Sequence, residues 1–376
     1  MICEKKDCFG CFSCVNICPM GCIEMVEDEW GYIYPKIDMK KCIGCNLCKK
    51  HCPALHKQEF VTPKRVYASW DLDTNGRKSS SSGGVASVFS KVIIENEGFV
   101  FGSTIEKDLT VHHIEIKDIK DIERLKGSKY VHSYIMNTYY EAKKRLLESK
   151  EVLFIGTPCQ IAGLKEFLGK PYKNLYTIDV VCHGVPSQKM LRDELGLSTI
   201  DKITFRDETG YNLKVYDENG KIIKNENKND STYLIAFLKG LSIRDNCYQC
   251  PFAQRQRISD ITIGDFWGLR DLKTAKKEMD KGISEVLINT KQGENLLNRC
   301  KGLIFLEERE LDEAINGNDQ LRAPYAKHEN RHKFLSLYKD GEFKRSVRVS
   351  MKKEIIKYKI KKGITKIPYL KKKIRD

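Results

Sequence analysis

Hydrophobic positions along this chain change period several times, and each change marks a different kind of element. Residues 66–70 read as a strand, after which Val85, Val88, Phe89, Val92 and Ile93 recur at helical spacing. Residues 98–102 and 111–116 read as the next strands, followed by helices over 118–125 and 137–149. Val152–Gly156 and 175–181 are continuous apolar runs, the pattern of strands buried on both faces of a parallel sheet. A helical stretch follows each, the first beginning at Thr157-Pro158. Strand and helix alternating at this spacing predict an α/β domain with parallel elements.

Between 202 and 224 the pattern becomes alternating around Glu218-Asn219-Gly220, a hairpin signal. This predicts an antiparallel excursion from the main sheet. A helix near 233–241, a strand running into Gly264-Asp265 and a strand at 285–290 with its helix complete a domain placed at 64–310. Ahead of it, 22–27 and 32–37 read as two short strands about Trp30-Gly31, and 55–65, with Pro63, as a polar connector.

The cysteines sharpen that picture. Cys8, Cys11, Cys14 and Cys18-Pro19 repeat as Cys42, Cys45, Cys48 and Cys52-Pro53, both in the spacing C-x₂-C-x₂-C-x₃-C-P. That is the bacterial ferredoxin run that holds [4Fe–4S] clusters, its fourth cysteine ligating the other cluster. The pairing expected is Cys8, Cys11, Cys14 with Cys52, and Cys42, Cys45, Cys48 with Cys18. Structural zinc takes two C-x₂-C knuckles per ion, and a disulfide framework suits small secreted chains; neither matches a doubled triplet-plus-one. The fold class expected is therefore an α+β ferredoxin-like dicluster module over 1–56, then an α/β domain with a mixed sheet and an antiparallel excursion.

Totals bound the rest. The chain has 376 residues, 15 cysteines and a formal charge of +15. Most of the charge sits in one place: residues 331–376 carry 17 Lys+Arg against 4 Asp+Glu, and read as a basic tail. Apolar Met351, Ile355 and Tyr358 among its lysines suggest adhesion to an anionic membrane surface or an acidic partner, against a simply solvated end. No reading motif accompanies the charge, so nucleic acid is not expected as a partner. Neither a signal-peptide h-region nor a membrane-length apolar run is present, which points to the cytoplasm, with a peripheral place at the membrane as the tail's contribution.

Four further cysteines stand at suggestive places: Cys159 and Cys182 just after two buried strands, and Cys247 and Cys250 in a C-x₂-C. Neighbouring parallel strands end side by side, so these could form a third four-thiolate site, for a cluster or for zinc, or could be inert buried thiols. Cys3, Cys22 and Cys300 are assigned to packing. Ser81-Ser82-Gly83-Gly84 before a helix offers N–H groups to a phosphate or is an ordinary N-cap; Gly127-Ser128-Lys129-Tyr130 suits an anionic or flavin-like ligand or is a helix C-cap.

Residues 156–164 (GTPCQIAGL), 179–187 (DVVCHGVPS), 246–250 (NCYQC) and 259–268 (SDITIGDFWG), with both glycine loops, resemble the coenzyme F420 hydrogenase/dehydrogenase beta-subunit family. The resemblance covers 64–310, with the dicluster module fused in front. It implies FAD held by Ser81, Ser82, Gly83, Gly84, Gly127, Ser128, Lys129, Tyr130, Thr157 and Pro158, and a third [4Fe–4S] cluster on Cys159, Cys182, Cys247 and Cys250. It also implies an oxidoreductase passing a hydride between FAD and a substrate such as coenzyme F420, and single electrons between FAD and the clusters. Ferredoxin or another redox subunit is the partner expected. Asp265 and His183 are the polar candidates beside the flavin. A non-catalytic electron-transfer subunit, or a ferredoxin-dependent reductase of an organic substrate, are the alternatives.

Overall fold

A computed structural model describes residues 2–207, 209–272, 276–278, 281–339 and 341–364. At the front, β1 (Ile23–Glu27) and β2 (Ile33–Ile37) pair antiparallel, with Ile23 opposite Ile37. Cysteine-bearing turns flank them, each running into a short helix, Ser13–Ile17 and Leu47–Lys50. Phe12 and Asn46 enter those helices at positive φ, and Gly10 and Gly44 stand two residues ahead of them, also at positive φ. The left-handed bends fold each cysteine triplet into a compact loop.

The main sheet has eight strands in the order β13-β3-β12-β11-β7-β6-β4-β5. These are β3 (Arg65–Asp71), β4 (Phe99–Ile105), β5 (Val111–Ile116), β6 (Val152–Gly156), β7 (Leu175–Val180), β11 (Ile261–Asp265), β12 (Ser284–Ile288) and β13 (Ile304–Arg309). Its middle, β4, β6, β7 and β11, is parallel, and the flanking pairs are antiparallel. The runs read as doubly buried are so: Val152, Leu153 and Phe154 are fully enclosed. The excursion is a three-stranded sheet of β8 (Lys202–Asp207), β9 (Gly210–Tyr216) and β10 (Ile222–Asn227), in the order β10-β9-β8.

Edge strand β13 escaped the sequence. Ile304-Phe-Leu-Glu-Glu-Arg lacks clean alternation, because an edge strand needs few buried residues; Phe305 secures it by stacking on Trp70 of β3, centroids 3.8 Å apart.

The segment read as a tail from residue 331 requires correction. Helices Arg331–Tyr338 and Phe343–Ser350 bury Phe334, Tyr338, Phe343, Val347 and Met351 in a core shared with Tyr32, Leu213 and Tyr233. Of the apolar residues among the lysines, Met351 and Ile355 face this chain's own core, while Ile356 and Ile360, on the same helix as Ile355, are exposed. Residues 365–376 of the expected tail lie outside the described ones. Among the described residues no helix is long and apolar enough to cross a membrane.

The connector is likewise tied down. Val61 exchanges both backbone hydrogen bonds with Arg257, at 2.9 and 2.8 Å. The front module is seated on the main domain rather than tethered to it. Tyr32 Oη donates to the carbonyls of Ser242 and Ile243, Ser187 Oγ donates to the Trp30 carbonyl, and Phe9 packs edge-on against Phe252.

Candidate functional site

The two ferredoxin-type cysteine groups differ in depth. Cys8, Cys11, Cys14 and Cys52 line one apolar pocket of about 330 Å³, walled by Phe9, Phe12 and Met25. All four are buried. This is the grouping expected from the motif, with the fourth cysteine supplied by the other repeat. Cys18, Cys42 and Cys48 are half-buried in a neighbouring apolar cluster, and Cys45 is exposed. One group thus faces the domain and the other faces solvent.

Cys3 and Cys22, read as packing residues, stand beside these groups. The Cys3 thiol is pushed up by hydrogen bonds with Cys52 and Cys8, and Cys22 Sγ lies 3.4 Å from Cys18 Sγ. Cys300 is buried in the main core, as expected.

The second set of cysteines converges where the parallel strands end. Cys159 opens the helix Pro158–Leu168 after β6, Cys182 follows β7, and Cys247 and Cys250 arrive on a turn from Asp245. A buried ion pair fixes that turn. Arg257 Nη2 meets Asp179 of β7 at 3.0 Å while its Nη1 donates to the Phe252 carbonyl. Burial pushes the Cys159, Cys247 and Cys250 thiols up to about 11, and Cys182 well above its ordinary value. After burial, each of the four is raised further by another member of the set. Among the described residues no three such side chains close on the single point that one ion demands.

Beside this set opens a large cleft, into which Cys182 of the set faces. Of the residues expected to hold a cofactor, Ser81, Ser82, Gly84, Gly127, Ser128, Lys129, Tyr130 and Thr157 line it, and so do Cys182, His183 and Asp265. The two glycine loops meet there, the Ser128 N–H donating to Ser81 Oγ at 2.7 Å. Gly84 starts the helix Val85–Glu95 with φ +84°, a conformation that favours glycine, and aims the helix N-terminus at the cleft.

Three expected residues do other work. Gly83 does not line the cleft: its N–H donates to Ser284 Oγ and its carbonyl accepts from the Asp71 N–H, locking the loop onto β12 and β3. Pro158 occupies the first helical position beneath Thr157, whose N–H is capped by Gln160 Oε1 at 2.9 Å. Lys129 borders the cleft, yet its Nζ donates to the Leu125 and Lys126 carbonyls at 2.8 Å and so caps a helix. Burial lowers it to about 7.

His183 is held below its ordinary value by burial, so at neutral pH it is an uncharged imidazole. Asp265 is engaged by Arg206 of β8, which reaches it from the excursion sheet.

That partner and its surroundings were not foreseen. Tyr130, Tyr211, Phe237 and Trp267 form an aromatic wall: Tyr130 stacks on Phe237 at 4.8 Å, Tyr211 lies parallel to Trp267, and the Arg206 guanidinium sits over both Tyr211 and Trp267. Tyr211 and Arg206 come from the hairpin, whose alternation revealed strands but gave no sign of which face meets the cleft. The one available signal was an aromatic directly after Gly210 at the hairpin's tip.

Comparison with known proteins bears on this arrangement. Residues 149–314 match the family model for the C-terminal part of the coenzyme F420 hydrogenase/dehydrogenase beta subunit, and residues 7–55 that of a 4Fe-4S dicluster domain. A coenzyme F420-dependent sulfite reductase of Methanocaldococcus jannaschii is 24% identical over 336 residues, covering 82% of this chain and 48% of the relative. The chain thus spans about half the length of that relative. An uncharacterized protein of the same organism is 23% identical over 359 residues, covering 83% of this chain and 92% of its own length. A chain of the F420-reducing [NiFe] hydrogenase complex from Methanosarcina barkeri superposes with a TM-score of 0.46 at 17% identity, over 70% of this chain and 94% of that one.

Proposed function

Because this chain belongs to the coenzyme F420 hydrogenase/dehydrogenase beta-subunit family, with a [4Fe–4S] dicluster domain fused ahead of it, we propose that it is an FAD-dependent oxidoreductase. It exchanges a hydride with a substrate in the cleft and single electrons with a redox partner at the front module. The observation that carries this is the order of the sites. Cys45 is exposed and the Cys8 group buried, Arg244 joins the Cys8 loop to the Cys247 turn, and Cys182 lines the cleft.

A flavin supplies the conversion between a two-electron hydride and one-electron carriers. The chain's residues fit such a group. The Ser81–Gly84 loop and the following helix start offer N–H groups and hydroxyls to a diphosphate. The wall of Tyr130, Tyr211, Phe237 and Trp267 offers aromatic faces to a ring system, and Arg206, paired with Asp265, lies over it. Half-exposed Trp267 leaves the mouth open to a second planar molecule, for which the deazaflavin F420 is the candidate. Uncharged His183 can accept or return a proton at the cleft without opposing an anionic cofactor.

The partner docks at the solvent-facing cysteine group. There Met39, Ile43 and Cys45 are exposed, and exposed Lys36, Lys40, Lys41, Lys49 and Lys50 lie near them in the chain. An apolar contact with positive surroundings suits an acidic one-electron carrier such as a ferredoxin. A second reading rests on coverage: the chain spans half of the sulfite reductase relative. In that reading it delivers electrons to a separate protein that reduces the final substrate.

Anaerobically purified protein should contain flavin and about twelve irons, falling to about eight in a Cys247→Ala/Cys250→Ala variant. Full iron without flavin refutes the proposal. Reduction of the isolated chain by reduced F420, compared with NADH and reduced ferredoxin, separates the enzyme from the delivery subunit.

A further inference from the structure

Among the described residues three arginines are almost wholly enclosed: Arg244, Arg257 and Arg331. Two have an acid. Arg257 pairs with Asp179 at 3.0 Å and Arg331 with Asp245 at 2.9 Å. Arg244, 1% exposed, donates from Nε to the Cys8 carbonyl at 2.9 Å and lays its guanidinium 4.2 Å from the centre of the Tyr34 ring. Among the described residues its Nη1 and Nη2 are buried and have no hydrogen-bond partner.

An enclosed guanidinium with two idle nitrogens is costly unless an anion answers it. The neighbouring side chains do not: Asp245, next in sequence, is turned to Arg331, and His132 is kept neutral by burial. What surrounds Arg244 is sulfur. Its side chain reaches the Cys8 loop, and its own backbone begins the third set. The Arg244 N–H donates to the Val185 carbonyl, and the Arg244 carbonyl accepts from the Cys247 N–H at 3.0 Å. Gly10 keeps this approach open, since a Cβ there would come within 2.7 Å of His132 and 3.3 Å of Arg244 Nη1.

We propose that Arg244 is a shared counter-ion wedged between the buried ferredoxin-type cluster and the third cluster. It sets the reduction potentials of both and couples them electrostatically. This rests on the reading that both sites hold [4Fe–4S] clusters. A tetrathiolate cluster is an anion in either redox state and gains one more negative charge on reduction. A fixed cation between two such sites favours the reduced form of each. It also shields one from the other, so that an electron on the first raises less of a barrier to an electron on the second.

The test is an EPR-monitored redox titration of the anaerobically purified full chain, as wild type, Arg244→Met and Arg244→Lys. In Arg244→Met two of the three clusters should become harder to reduce by about tenfold in equilibrium constant, 59 mV for one electron. The third, at Cys45, should keep its potential, and Arg244→Lys should stay near wild type. If Arg244→Met loses iron while Arg244→Lys keeps it, the need for the charge is upheld. Loss of iron in both, or three unchanged potentials in Arg244→Met, overturns the proposal. A wild type with only two clusters refutes the reading beneath it, and iron content shows that separately.

Discussion

Gly83 offers the most direct test of how the cleft is built, because what it forbids can be measured on the structure. A Cβ at this position would stand 2.4 Å from the Ser69 carbonyl oxygen and 2.9 Å from the Ser284 nitrogen. Ordinary contact begins at 3.4 Å, so Gly83→Ala is about 1 Å short of room. Both obstacles are backbone atoms of β3 and β12, which pair with each other and cannot yield. The serine loop must therefore lift. Lifting it breaks the Gly83 N–H bond to Ser284, the Asp71 N–H bond to Gly83 and the Ser82 Oγ bond to the Ile283 carbonyl.

At about 1 kcal/mol net each, these three bonds bound the cost at about 3 kcal/mol. Since the same loop faces the cleft, roughly 1–3 kcal/mol of that should appear as flavin affinity, a loss of about fivefold to 150-fold. The assay is flavin titration by fluorescence on flavin-depleted, cluster-loaded protein, with thermal melting alongside. Gly127→Ala is the informative contrast. Nothing stands within 4 Å of its Cβ, but its φ is +81°, so only a backbone penalty of about 1 kcal/mol is expected. Gly83→Ala binding flavin within twofold of wild type, with an unchanged melting temperature, would refute the steric argument.

Three other outcomes are expected. Glu285 on β12 is fully enclosed, with neither carboxylate oxygen hydrogen-bonded among the described residues, and burial raises it well above its ordinary value of 4.5. Its raised value in the folded state means that its contribution to stability is complete below pH 4.5 and is lost as pH rises through the folded value. Glu285→Gln should therefore flatten the stability profile above pH 4.5, and gain about 1.4 kcal/mol for each tenfold weakening of the acid that burial had imposed; parallel profiles for the two proteins would sink the idea. Reversing charge at the front module, Lys40→Glu/Lys50→Glu, should slow reduction by an acidic ferredoxin about tenfold at low ionic strength, the difference closing at high salt. A salt-independent difference would reject electrostatic docking. Met351→Ala should cost about 2–5 kcal/mol, because the side chain is fully buried where a solvated tail was expected. An unchanged melting temperature would restore the tail.

Cysteine spacing, hydrophobic period and glycine placement are local properties, and what they determine was legible in the chain itself. The doubled C-x₂-C-x₂-C-x₃-C-P gave two groups, and each fourth cysteine follows a short helix, Ser13–Ile17 or Leu47–Lys50, after which Cys52 reaches the pocket of Cys8, Cys11 and Cys14. The buried runs at 152–156 and 175–180 gave parallel strands, and strand ends gave the place where Cys159 and Cys182 meet. The serine–glycine loops gave one wall of the cleft.

What only the tertiary structure decided is which faces meet. Arg206 and Tyr211 belong to an outlying hairpin and enter the cleft because that sheet folds back over it. Arg244 looks like any surface arginine in sequence, and is enclosed because the Cys8 loop, Tyr34 and the Cys247 turn close round it. The basic helices at 331–350, expected as part of a tail, bury Phe334, Tyr338, Phe343 and Val347. In each case periodicity says that a side chain has a partner surface, but the partner lies tens to hundreds of residues away, and only the packing of elements says which surface it is. Local chemistry names the cofactor sites, and long-range packing sets their order, their depth and the charge between them.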